Sequence, residues 1–469
     1  MAQTVSADSV LLSIYKTWYT EKEFPNLLFR NSPTLKTIEK NRIQGKEYRM
    51  AAMYSRGGAT SGDYTVAVAG ATSGNMGANA EFVVTPGNLF TVFTITQKEI
   101  LASQSKQGAY VKALINRMFA ATEGSRKLLA ASLFGWGYGD VGTLPTAVAA
   151  AASSMTLNWD AVVKLDVGMT FFVVNGSSLT YPGGAAFYDT TARTISQINM
   201  QTVTWTGGGV TAGGWAAGSW ILINGGQDNT SGGGNPNMPT GLQAWLPSYA
   251  QRGGQSASPT WASLSATSFY GVNRSISQGA LAGWYYQRPQ GQTYSDALLM
   301  GVKMARRGGG VPNKIVVNDE DFSNIMTEYH QNMTYFQMTN SMPEKTQTND
   351  VARGLSEFRA MFSTSFIQNL WEDPYCPQGT AYILDMEAIE FVALNNLAAT
   401  DDGVPANEPG SQTVEKAGEP DTSFKLLIDD YINVAPNSSS SQGPAAQVSL
   451  SFYGNFALHA PGHCSVVSF

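Results

Sequence analysis

Residues 96–134 read TQKEILASQSKQGAYVKALINRMFAATEGSRKLLAASLF, and the architecture turns on this stretch. Thr96 with Glu99 three residues later is a capping box, the pattern that opens a helix. Apolar residues recur at Val111, Leu114, Ile115, Met118 and Phe119, then at Leu128, Leu129 and Leu133, the spacing of one helical face. The pattern predicts a helix running to Phe134 and stopping at Gly135, roughly 58 Å long at 1.5 Å per residue. Gly108 and Gly124 are the points where it would bend or be interrupted.

Working back from this helix, Phe90–Ile95 alternates as a short strand. Residues 42–88 have β-type ends, Glu47–Ser55 and Ala80–Val84, around a soft tip rich in Gly, Ala, Thr and Ser. They read as a long two-stranded projection that cannot bury its own backbone and needs a partner surface. Residues 1–41 form an arm with a short helix around Val10–Tyr19 and apolar side chains, Trp18 among them, too few to make a core.

Working forward, the texture changes. Met169–Val174, Ile195–Trp205 and Trp220–Ile223 are short strands separated by Gly, Asn and Pro turns, which predicts a small all-β unit. After Leu242 the chain alternates again: a helix at Tyr294–Arg306, a strand at Lys314–Val317, a helix at Asp319–His330, and strands at Tyr382–Leu384 and Ile389–Ala393. An exposed loop at Asp401–Asp421 precedes a final strand, Gln447–Phe456.

Composition narrows the function classes. The 469 residues carry 29 basic and 35 acidic side chains, net charge −6, which argues against a chain that wraps nucleic acid through a basic surface. Only 14% of residues are charged, against roughly 25% in an ordinary soluble domain, and 48 are glycine. Much of the backbone is therefore expected to be covered by neighbours. Cys376 and Cys464 form no metal or disulfide framework and read as ordinary thiols in a reducing compartment. Without a signal-peptide pattern or an apolar run near ~20 residues, the chain is expected to be soluble and made in the cytoplasm.

Catalytic chemistry is hard to find. The histidines are His330, His459 and His463, and Pro461-Gly462 keeps the last two off a common helical face. Gly137-Tyr138-Gly139-Asp140-Val141-Gly142 matches the dinucleotide motif by letter, but a helix precedes it and Thr143-Leu144-Pro145 follows. Asn318-Asp319-Glu320-Asp321 reads as a helix cap. Glu372/Asp373 and Asp429/Asp430 are adjacent pairs that point to opposite faces of a strand. The expectation is a protein that is not an enzyme and holds no cofactor or metal.

The order of these pieces resembles the major capsid proteins of tailed bacteriophages, the HK-ninety-seven-type shell fold shared with encapsulins. Lys16–Tyr19, Asn26–Phe29 and Ser32–Leu35 are similar to the family's arm, Gly45–Arg49 with Tyr54 to the entry of its extended loop, and Gly309–Val317 to the step into its axial domain. The resemblance implies an α+β fold: N-terminal arm 1–41, extended β-loop 42–88, peripheral domain with spine helix 89–150, β-rich insertion 151–250, peripheral domain resumed 251–310, α/β axial domain 311–436, and a returning strand 437–469. It also implies pentamers and hexamers of one chain in an icosahedral shell enclosing double-stranded DNA. Scaffolding, portal and possible cementing proteins would be partners, with no membrane. Arg49, Arg56, Asp63, Trp18 and Tyr54 become candidates for contacts between subunits. Some members weld their shells through a lysine on the projection; here none occurs between Lys46 and Lys98, which implies a shell without covalent crosslinks. Two other readings fit parts of the sequence: an encapsulin-like cargo compartment, and a secreted polysaccharide-binding β-protein using exposed Trp205, Trp215 and Trp220.

Overall fold

The computed structural model describes residues 32–42, 45–54, 61–72, 79–96, 121, 124–125, 127–174, 191–210, 213–226, 236–248, 269–328, 369–394, 432–437 and 445–469. The helix expected at Val10–Tyr19, Trp18, Arg56 and the loop at Asp401–Asp421 lie outside them.

From the N-terminal side, α1 (Pro33–Thr37) is followed by β1 (Glu39–Arg42), β2 (Tyr48–Met53), α2 (Tyr64–Thr72), β3 (Asn79–Val84) and β4 (Gly87–Thr96). Strands β2 and β3 pair antiparallel from Tyr48↔Val84 to Met53↔Asn79. The expected ribbon is therefore present, with two corrections. Its root is not bare: alternation turns Met50, Ala52, Phe82 and Val84 into the main core, because a two-stranded sheet gains little unless one face is covered. Beyond the root, the soft tip contains a helix, α2, opened by Asp63, whose Oδ1 accepts from Thr65 N at 2.8 Å.

Thr96 is the last residue of β4. The helix expected after it is described near its end, at residues 124–125 and 127–133 (α3), and it ends at Leu133, one residue short of the expected Phe134. Gly124 is helical, with open space where a side chain would stand.

Next come β5 (Asp140–Thr143), β6 (Ser154–Thr156), α4 (Trp159–Val162), β7 (Thr170–Val174), β8 (Arg193–Asn199), β9 (Thr202–Thr206) and β10 (Trp220–Ile223). They form one sheet in the order β5-β10-β7-β8-β9-β6, wrapped around its own core of Val141, Phe171, Val173, Ile195, Trp205 and Trp215. The all-β unit thus recruits a strand that starts at Asp140.

The chain continues through α5 (Leu242–Trp245), α6 (Gln278–Ala282), β11 (Trp284–Gln287), α7 (Tyr294–Arg307), β12 (Lys314–Val317), a helix over residues 319–328 (α8), β13 (Asn369–Glu372), β14 (Thr380–Leu384), β15 (Ile389–Ala393), β16 (Ile432–Asn437), β17 (Ala445–Leu458) and β18 (Ser465–Ser468). A mixed sheet β11-β18-β14-β12-β13 is buried on both faces. Ile315, Val317, Ile383 and Val467 face one cluster with Leu298 and Val302 of α7, while Val316, Tyr382, Leu384 and Val466 turn to the main core. Helix α7 has a complete set of end signals: the Thr293 hydroxyl accepts from Asp296 N, Arg306 and Arg307 occupy the last turn, and Gly308 caps it. The central sheet runs β1-β15-β17-β16, with β4 along the other side of β17. The fold is a mixed helix and sheet assembly whose strand β17 ties the end of the chain to its first third.

Candidate assembly surfaces

The ribbon separates into two chemically distinct parts. Its root is fastened to the body through Phe82, which meets Trp245 and Phe269 edge to face at 5.2 and 6.3 Å, and through Val83 N donating to Tyr270 O at 2.9 Å. Tyr54 is half-buried and packs against this same core. On the outer face, Arg49 lies 3.4 Å from Glu47 and 3.3 Å from Glu81, all exposed, so the pairs are solvent-screened and contribute little to stability.

The distal part is different. Helix α2 reads YTVAVAGAT and contains no charged residue. Tyr64 is 84% exposed, Val66 58% and Val68 47%. Asp63, a candidate above for contacts between subunits, is engaged as the helix's cap. The structure therefore places Arg49 and Tyr54 at the root and Asp63 at the start of the apolar helix. A second apolar surface runs along β4, where Phe90 (55% exposed) and Val92 (48%) share a face and Phe90 meets Tyr453 at 5.7 Å. Sequence reasoning missed α2, because the small residues on either side of it made the whole segment read as a soft tip. Ser61 and Asp63 ahead of Tyr64 are the cap signal that would have found it.

The motifs that suggested chemistry resolve into packing. At Gly137 a side chain would press on Thr240 Oγ1 and Met238 O, and both Gly137 and Gly139 have positive φ, so the glycines serve a tight crossing that leads into a strand. Trp136 N donates to Asp140 Oδ1 at 2.8 Å, while burial pushes the Asp140 carboxyl up. Asn318 Oδ1 accepts from Glu320 N at the start of α8. Both cysteines are free and buried; burial pushes the Cys464 thiol up to about 12. Among the described residues no group of three His, Cys, Asp or Glu side chains is placed to hold a metal ion, and no helix is long and apolar enough to cross a membrane. Trp205 and Trp215 correct the polysaccharide reading: they are 3% and 1% exposed and lie tilted against each other 5.3 Å apart in the core of the β unit, so they present no platform.

Asp321 sits 4% exposed at the seam between α8 and the β unit's Asp160. Burial, helped by Asp160, Glu320 and Asp319, raises its pKa to about 6 against a lowering hydrogen bond from Gly379 N. A raised folded pKa means that stability falls as pH rises from 3.8 to about 6, and the deficit persists above that. Asp321→Asn keeps the acceptor for Gly379 and is expected to stabilise the fold above pH 6, by on the order of 2 kcal/mol, with no gain below pH 4. Thermal unfolding of both chains across pH 4–8 measures this, and a gain independent of pH would contradict it.

No family model and no curated protein matches the sequence. Solved structures do resemble it over nearly its whole length. A cyanophage A-1(L) capsid asymmetric unit aligns at TM-score 0.48 and 10% identity, covering 93% of this chain and 92% of that one. A satellite phage P4 procapsid aligns at TM-score 0.36 and 7% identity over 94% and 96%. The SrpI encapsulin complex from Synechococcus elongatus aligns at 0.35 and 9% over 93% and 88%. The neighbours are shell proteins. Capsids of phages and of gene transfer agent particles recur among them.

Proposed function

We propose that this chain is the major capsid protein of a tailed bacteriophage, assembling into the pentamers and hexamers of an icosahedral head around double-stranded DNA. The observation that carries the reading is helix α2: a charge-free segment with exposed Tyr64, Val66 and Val68, joined to the body through a two-stranded ribbon. Exposed apolar surface of this kind belongs against a partner, and a second copy is the partner always present in a shell. Arg49 and Tyr54 at the root, with Arg56, Asp63 and Trp18, are the proposed contacts to that copy. The acidic balance suits a wall that confines DNA without gripping it. Scaffolding, portal and cementing proteins would act on the shell during assembly in the bacterial cytoplasm, and no step calls for catalysis or a cofactor.

Expression of the full chain, alone and with a scaffolding protein, followed by electron microscopy tests this. Rings of five or six, tubes, sheets or closed shells are expected. With no lysine on the ribbon between Lys46 and Lys98, particles boiled in detergent should give a single band near 50.2 kDa. A ladder of covalent oligomers would overturn the non-covalent shell, and a chain that stays monomeric in both arms would overturn assembly as the function.

A further inference from the structure

Glu390 is an acidic residue in the middle of the central sheet, on β15, and it is 4% exposed. A carboxylate held there needs charge and hydrogen-bond compensation. Three neighbouring segments supply it. Asn41 of β1 donates Nδ2 to Oε2 at 2.6 Å. His459, the residue after β17, brings Nε2 to 2.6 Å from Oε1. At that separation the imidazole and the carboxylate are in direct polar contact, which holds the carboxyl down and the imidazole up. Tyr48, the first residue of β2, sets its ring edge-on to the imidazole at 6.1 Å. Its phenol is pushed up by burial and by Glu390.

Strand register makes this meeting. Glu390 stands opposite Ala457, so His459, two residues on, falls on the same face. Parallel pairing of Glu39 with Glu390 puts Glu39 and Asn41 on that face too. His459 N donates to Ala388 O at 2.9 Å, which fixes the backbone beside the carboxylate. The titratable groups facing the imidazole are Glu390 on β15, Glu39 on β1 and Tyr48 on β2.

We propose that Glu390, His459, Tyr48 and Asn41 form a protonation-controlled lock that holds β1 and the ribbon root against the central sheet, tight while the imidazole is charged and slack when it is neutral. With a charged ring, the buried carboxylate has its counter-charge. With a neutral ring the carboxylate loses its counter-charge, and more of its compensation falls to Asn41 on β1 and Tyr48 on β2. This lock acts within one chain, so it goes beyond the assembly reading and does not depend on it.

The pH window follows from the two shifts. The adjoining Glu390 carboxylate raises the His459 pKa above its ordinary 6.5, with burial opposing. The lock's contribution is therefore complete below 6.5 and is lost as pH rises through the raised value. Burial works to raise Glu390, but His459, Tyr48 and Asn41 outweigh it and hold the carboxyl below its ordinary 4.5. That contribution is lost as pH falls through the lowered value.

The test uses the full chain with isotope-labelled histidine. Three histidine signals are expected, and His459→Gln identifies one. Glu390→Gln should lower the His459 midpoint, to its ordinary 6.5 or below. Hydrogen exchange, corrected for its intrinsic pH dependence, should show β1 and β2 amides losing about tenfold protection as pH crosses the wild-type midpoint, while β12 and β14 stay protected. In both variants that step should vanish. A midpoint unmoved by Glu390→Gln, or a step that survives in His459→Gln, would overturn the lock, whether or not the chain forms shells.

Discussion

Trp245→Ala is expected to destabilise the chain by about 3–5 kcal/mol, a large share of what a domain has to lose. Trp245 is 1% exposed, and its indole is the meeting point of three distant pieces of chain. It contacts Phe82 of the ribbon root at 5.2 Å, and Phe269 and Tyr270 at 4.9 and 5.6 Å. Its Nε1 donates to Phe456 O of β17 at 3.0 Å. Truncation leaves a cavity and an unsatisfied carbonyl, and it also removes the surface on which the ribbon rests. Trp245→Phe keeps most of the packing and loses the hydrogen bond, so its cost should be nearer ~1–2 kcal/mol. Denaturant unfolding of unassembled subunits measures both, and equal costs would show that the aromatic cluster is not what holds the ribbon root.

Gly308→Ala should be comparably severe, at or beyond the roughly 3 kcal/mol at which overpacking becomes exceptional. Its φ is an ordinary −71°, so the reason is not backbone conformation. A methyl group there would land on Gly462 O, in the turn Pro461–His463, and 2.5 Å from Trp284 Nε1. Neither the carbonyl nor the enclosed indole nitrogen has room to step aside. Gly62→Ala is the matched control: no atom lies within 4 Å of its added carbon and no positive φ is required, so the melting temperature should hardly move. If Gly308→Ala melted like Gly62→Ala, the helix end and the turn would not be in contact in solution.

The glycine run after α7 illustrates what a sequence can and cannot say. Gly308-Gly309-Gly310 was legible as a helix stop, and the helix does stop there. Only Gly309 has a positive φ; Gly308 and Gly310 are glycine because the turn at residues 461–463 presses against them. Nothing local records that approach. Likewise Tyr48, Arg49 and Phe82 were readable as strand, yet the burial of Phe82 depends on Trp245 and Phe269 arriving from elsewhere.

By itself the sequence determined the elements whose signals are local. These are the ends of α7, the strands β12, β14 and β15, the run of short strands around Trp205, the absence of any spaced metal or nucleophile motif, and the ordering that suggested a shell protein. Those features follow from backbone propensity, capping and alternation, which act over a few residues. Only the tertiary structure decided that the ribbon root belongs to the core, that its distal part carries an apolar helix, and that Trp205 and Trp215 are interior. It also brought Glu390 to Tyr48, to His459 and to Asn41, the last 349 positions away in the chain. Such meetings are set by strand register and by which faces are left to cover one another, and no short window of sequence contains that information.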